Sequence, residues 1–305
     1  MIISKAKAIA VARTFKAVFA KALAGAAESV FYPKIAQTVT TTAGVVDYTW
    51  LAAIPGMKEL KGAADISNLE LINWVIPNKE WHDTIAVKEK DVEQDQLGLY
   101  TQRFEMLGDA AARHPDELAA EALLAGFVEK DYTGKAFFAT NKKHFPSLKT
   151  TFSNKLEAAL DAAAFEEARE LLKTMKIEFP DGSETKLKLG RDLCLIVSAK
   201  NETIARQILE AERIDGGDSN VNKGTATLEV WTELGDSLTW YLVDKAHMAK
   251  PLVFQEEKKA SLNSVTDPQD SYVLLNHEFL HQAYGRYAVG YFLPQLIIGS
   301  TGVDA

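Results

Sequence analysis

The stretch from about residue 47 to 96 is rich in strand formers but supplies nothing to cover them, and this limits the folds open to the chain. "LELINWVI" (69–76) and "EWHDTIAVKEKDVE" (80–93) read as two strands joined by a turn at "PNK". Upstream, "QTVTTTAGVVDYTWLAAIPG" (37–56) is β-branched and extended, ending in a Pro-Gly turn. A two-stranded arm is marginal by itself and has to lie against something. The first 45 or so residues likewise lack a core of their own. Two coreless segments in one chain predict a protein whose arms rest on other subunits. Leu69, Leu71, Trp74, Ile76 and Trp81 are the positions expected to be buried between subunits, with a tryptophan as a candidate hot spot.

The remainder can build a core. The 305 residues are 47% hydrophobic and 25% charged, ordinary for a globular chain. Apolar spacing predicts a helix over 11–23 ended by Gly25, and a long one over 97–128 with a kink or restart at Pro115. A third is predicted over 155–175, opened by Asn154 with Glu157 as a capping box. "NETIARQILEAE" (201–212) predicts a helix capped by Asn201. "LCLIV", "TATLEVW", "SLTWYLVD" and "PLVFQEE" read as strands, with "FPDGSE" a turn and "DGGDSNVNKG" a loop. Strands and helices mix without regular alternation, which predicts an α+β fold rather than a doubly wound sheet.

Charge is unevenly spread. Lys5, Lys7, Arg13, Lys16 and Lys21 precede the first acid, Glu28, leaving 29 bases against all 42 acids in the rest. The acidic bulk argues against a nucleic-acid reader. A basic, acid-free start is also the pattern of an organellar transit peptide, but this one is alanine-rich rather than serine-rich, and an ordered or partner-bound helix is expected. No apolar run approaches the roughly 20 residues of a membrane helix, so no membrane partner is expected. The single cysteine, Cys194, sits in an apolar run and is expected to be a buried thiol.

One motif points to chemistry. His277-Glu278-Phe279-Leu280-His281 spells the H-E-x-x-H of a zinc hydrolase helix, two histidines for the metal and a glutamate as base. A third ligand is missing. The extended form needs a glycine at position 284 and a histidine at 287, where the chain has Tyr284 and Tyr287, and the sole acid after His281 is Asp304. Gly285, Gly290 and Pro294 also disfavour a helix there. Asp91, Glu93 and Asp95 hint at a calcium loop, but its glycine and final glutamate positions hold Gln96 and Gln102. "TGKAFF" lacks the first glycine and the hydroxyl residue of a phosphate loop. His82, His114, His144 and His247 stand alone. No catalytic, cofactor-binding or metal-binding set is expected, and no enzyme.

Longer blocks say more. "NKEWHDTIAVKEKDVEQDQLGLY" (78–100), "HPDELAAEALLAGF" (114–127), "YTGKAFF" (132–138), "WYLVDKAHMAKPLVFQEEKKASL" (240–262) and "NHEFLHQAYGRYAVGYFLPQLIIG" (276–299) resemble, in order, the major head (capsid) protein of Mu-like phages and prophages. In that family's C-terminal block an E-F-L precedes an arginine-aromatic-glycine strand. Glu278, Phe279, Leu280 and Arg286 match it, and neither histidine is required. The resemblance implies the Hong Kong 97 phage-type major capsid fold. Its implied parts are an N-terminal arm (1–46), an extended hairpin loop (47–94), a peripheral domain with a spine helix (95–176), an axial domain (177–245), and peripheral and C-terminal axial strands (246–305). It also implies self-assembly into pentamers and hexamers of an icosahedral shell around double-stranded DNA, contacted only weakly. A separate scaffold, a portal protein and a decoration protein are the further partners, with assembly in the host bacterial cytoplasm and residence in the virion. An encapsulin-type nanocompartment shell is the alternative, and a zinc metallohydrolase through His277, Glu278 and His281 the second.

Overall fold

The computed structural model describes residues 5–42, 45–47, 74–94, 97–144, 148–178, 184–213 and 218–303. The chain opens with α1 (Lys5–Ala27), β1 (Ala36–Thr40) and β2 (Val45–Asp47), then resumes at β3 (Val75–Pro77), β4 (Lys79–Lys88), α2 (Glu89–Glu93) and α3 (Gly98–Ala125). Next come β5 (Lys155–Leu156), α4 (Ala162–Thr174), β6 (Lys176–Glu178), β7 (Glu184–Lys186), β8 (Leu193–Val197), α5 (Glu202–Glu210) and β9 (Thr227–Val230). It closes with β10 (Trp240–Asp244), β11 (Leu252–Val265), α6 (Ser271–Asn276), β12 (Glu278–Tyr291) and β13 (Ile297–Ser300).

Two sheets organise these elements. One has the order β1-β11-β12-β4, the other β5-β13-β10-β8-β9. In the second, β8 and β10 are buried at every position, as expected of central strands covered on both faces. Phe165 and Leu172 of α4 and Ile208 of α5 pack on one face with Leu195 and Trp240, while Phe137, Phe138 and Leu123 of α3 meet Ile196 and Tyr241 on the other. Cys194 is buried there, its thiol pushed up to about 11 by burial.

The first sheet is built differently. Along β12, Phe279, His281, Ala283, Gly285 and Tyr287 are buried while Leu280, Gln282, Tyr284 and Arg286 are half-exposed, the period-two signature of a sheet covered on one side. The cover is helical. Phe15 and Phe19 of α1 and Phe104 and Leu107 of α3 pack with Ile85, Val87 and Phe279, and the Phe15 and Phe104 rings stack at 4.3 Å. At the crossing of α1 and α3, a Cβ on Gly108 would stand 2.6 Å from the Phe19 carbonyl oxygen, so only glycine lets the helices approach this closely. At about 1.5 Å per residue, α3 is roughly 42 Å long, and it spans both sheets.

Several sequence expectations change. Trp81–Lys88 does not pair back on Ile76 through "PNK": β4 pairs with β12, and β3 pairs with β2, so the β2–β3 ladder brackets residues 48–74. The longer range between β4 and β12 outcompetes the local turn because it buries Ile85 and Val87 beneath α1 and α3. The N-terminal segment also has its core within this chain, against α3. The helix over 97–128 forms as α3 and runs through Pro115 without a restart. The helix expected from 155 starts at Ala162, because Lys155–Leu156 pairs with β13, and its cap is Asp161, whose side chain accepts from Ala164 N at 2.7 Å. Asn154 is instead a buried tie, donating to Phe137 O and Pro294 O. Asn201 precedes α5, but its side chain donates to Leu238 O rather than capping the helix. α4 packs on the five-stranded sheet, against β10 and β13.

Candidate assembly surfaces and the histidine pair

His277 closes α6 in the left-handed conformation (φ 55°), and Glu278 is already the first residue of β12. On a strand, residues four apart lie about 13 Å apart, far beyond what two ligands of one metal ion can span. His277 is exposed, with its Nδ1 3.2 Å from a Glu89 carboxylate oxygen. His281 is buried edge-on against Phe15 and Phe104, with its Nδ1 2.8 Å from Ser264 Oγ. Burial lowers its pKa to about 4, so it is neutral at pH 7. The helix that the H-E-x-x-H spelling requires is therefore not formed. Among the described residues no group of three or more His, Cys, Asp or Glu side chains is placed to hold a metal ion.

The other motifs resolve into local structure. Asp91 lies in α2 and accepts from the Tyr100 hydroxyl at 2.7 Å, while Asp95 lies outside the described residues. In "YTGKAFF", Thr133 N donates to Asp131 Oδ1, Gly134 takes a positive φ, and Phe137 and Phe138 enter the core. His114 is bonded to the Tyr287 hydroxyl and His144 to Gln295; His247 Nδ1 is 3.0 Å from Ala249 O. His82 is exposed on β4.

Two carboxylates with structural roles were missed. Lys142 and Asp131 are both fully buried and 2.5 Å apart. The ammonium also donates to Ala136 O and Phe137 O, so its three protons are all used. Burial lowers the lysine to about 8 against the pull of Asp131. Removing one partner of such a pair typically costs about 3–5 kcal/mol, because the other charge stays buried. Asp116, read only as a helix-start acid, accepts from Phe31 N and Tyr32 N and so ties the segment after α1 to the middle of α3. Desolvation raises its pKa despite those bonds. No local pattern marks either residue, since both roles depend on partners brought in by the fold.

The outer face of the first sheet is polar: Arg286 pairs with Glu257 at 2.9 Å, and the Lys258 ammonium lies 4.9 Å from the Tyr284 ring centroid. At the far tip of the β11–β12 hairpin, Tyr272, Leu274 and Leu275 are exposed, as are Leu99 and Met106 on α3. Three residues expected between subunits are occupied within this chain. Trp74 Nε1 donates to Tyr291 O, Trp81 Nε1 donates to Tyr287 O, and Ile76 is buried. Leu69 and Leu71 lie outside the described residues.

A spine helix lying across two unequal sheets, with β2 and β3 paired antiparallel, defines a class. It is similar to the procapsid of bacteriophage JBD30, with a TM-score of 0.62 and 26% identity, covering 98% of this chain and 76% of that one. The fold is the Hong Kong 97 phage-type capsid fold, α+β as expected. The family model for the Mu-like prophage major head subunit gpT matches residues 9–159, 150–234 and 229–303, and the chain belongs to that family. It is 26% identical over 271 residues to the major capsid protein of Escherichia phage Mu, covering 89% of this chain and 66% of that protein. To the Mu-like prophage FluMu major head subunit of Haemophilus influenzae it is 25% identical over 265 residues, covering 87% and 64%. The chain thus spans a little under two thirds of the length of these relatives.

Proposed function

We propose that this chain is the shell-forming head subunit of a Mu-like tailed phage or prophage, a structural protein without catalytic activity. The observation that carries the reading is the family match, which runs from residue 9 to 303 and so covers both sheets and the spine helix. Subunits would gather as pentamers and hexamers of an icosahedral shell enclosing double-stranded DNA. The domain division proposed is an arm over 1–46, an extended loop over 47–94, a peripheral domain over 95–176, an axial domain over 177–245, and peripheral and C-terminal axial strands over 246–305. Each subunit would touch several neighbours, and multivalency turns individually modest contacts into a stable shell. A scaffold, a portal and a decoration protein are the proposed partners, with assembly in the host bacterial cytoplasm and residence in the virion. Sedimentation velocity over a concentration series tests this reading. Species far above the 33.6 kDa monomer are expected as concentration rises. A single monomeric boundary throughout, with or without a candidate scaffold, would reject it.

A further inference from the structure

We infer that the outward face of α1 is a docking surface for the phosphate backbone of duplex DNA. The inference rests on the shell reading for the presence of DNA, and its test does not. The helix carries five cations and no acid, in a chain of net charge −8. Lys5 bonds to Asp267 at 2.5 Å. Among the described residues Arg13, Lys16 and Lys21 have no ion-pair partner, although Glu105 and Asp109 line the same groove as Lys21. At about 100° per residue, Arg13 and Lys21 project about 140° from the centre of the buried stripe of Ala8, Phe15 and Phe19, and Lys16 stands on the flank of that face, about 80° from the stripe. All three are exposed.

Two features favour a polyphosphate over an acidic protein segment. The face between the cations is floored by exposed Ala10, Ala17, Ala20 and Ala24, and no large exposed hydrophobic of the described residues lies on α1. Protein partners are usually held by apolar or aromatic anchors, which this face does not offer, whereas a charged backbone needs none. The spacing also fits. Arg13 to Lys21 covers about 12 Å of helix axis, against roughly 3.4 Å per phosphate along one DNA strand, so the outward pair, with Lys16 at its edge, spans three to four phosphates. The one hydroxyl among them, Thr14, bonds back to Ala10 O. No side chain is left on this face to read bases, so binding is independent of sequence and weak.

The test is fluorescence anisotropy of a labelled 24-base-pair duplex of mixed sequence with the full, unassembled chain, at 50 and 200 mM salt. Neutralising three phosphates gives a log–log slope of about −2.7, so binding should weaken about 40-fold between the two salts. Arg13→Gln, Lys16→Gln, Lys21→Gln together should bind at least tenfold more weakly at 50 mM and lose most of that slope. If the triple variant does not fold, each single variant should lower the slope by about one unit. Unchanged DNA binding in folded variants would overturn the inference, as would a polyglutamate peptide that displaces the duplex at equal charge. Electron micrographs of the same preparations read shell formation separately. Variant shells that form normally alongside lost DNA binding place the role in α1 alone, and DNA binding that survives a failure to assemble sinks the shell reading without touching this one.

Discussion

The two sheets of this subunit solve the same problem in different ways. The five-stranded sheet is covered on both faces, by α4 and α5 on one and by the C-terminal half of α3 with Phe137 and Phe138 on the other. The distal part of the four-stranded sheet is covered on one face only, by α1 and the N-terminal half of α3. One of its two inner strands changes character along its length. β11 is buried over Leu252–Gln255 and is half-exposed or exposed from Glu256 onward except at Leu262, past two register shifts opposite β12. The first unit is covered on both faces, its core shared with Leu252–Phe254 and Tyr287–Tyr291 of the other sheet, and the distal part of the second is a half-covered ribbon. Exposed large hydrophobics lie on both, Tyr272, Leu274 and Leu275 at the tip of the ribbon and Ile204 and Leu238 beside the five-stranded sheet.

The largest effect should come from the closed core. Trp240→Ala removes a fully buried indole whose Nε1 donates to Ala158 O, and should lower stability by about 3–5 kcal/mol in urea unfolding. A loss below about 1 kcal/mol would remove the contrast between the two units. Next is Gly108→Leu. The added side chain collides with Phe19 O and the Ala22 methyl, and should cost about 1–3 kcal/mol by lifting α1 from α3. The check is local: amide exchange should quicken in α1 and the facing turn of α3 while β8 and β10 stay protected.

A third effect depends on pH. His281 has its folded pKa lowered to about 4 by burial, against roughly 6.5 when unfolded. The unfolded chain therefore takes up the proton first as pH falls. The stability from neutral His281 is present in full above about 6.5 and is lost as pH drops towards 4. Because its ring contacts Phe15 and Phe104, acid should loosen α1 first. His281→Phe should flatten the loss of α1 protection between pH 6.5 and 4.5, and an unchanged profile would assign that loss to other groups. His144, also lowered to about 4, adds a similar slope beside Phe152. The smallest effect is expected of His277→Ala. The residue is exposed on a hairpin tip, and unfolding should shift by no more than about 0.5 kcal/mol with assembly unchanged. Loss of assembly there would reopen a role for the histidine pair.

The sequence made some elements legible and hid others for physical reasons. β8, α3 and α1 could be read because their signals are local: an unbroken apolar run, a helical stripe, and alanine-rich spacing with buried Phe15 and Phe19. The pairing of β4 could not, because "PNK" is a good turn by composition and the competing partner lies some 200 residues downstream. The same distance hid the tryptophans' partners, Tyr287 O and Tyr291 O. Asn154 had the letters of a cap, but a two-residue parallel bridge to β13 occupies the start of the expected helix. The H-E-x-x-H letters imply nothing without a helix, and Gly285 and Gly290 in the strand that follows already argued against one.

Electron microscopy of the purified chain at high concentration tests the central claim most directly. Closed shells, tubes, or pentameric and hexameric rings are the predicted result, with the closed five-stranded units expected to keep one shape in every subunit. Compact particles of about 34 kDa alone, with no higher assembly even beside a candidate scaffold, would contradict it.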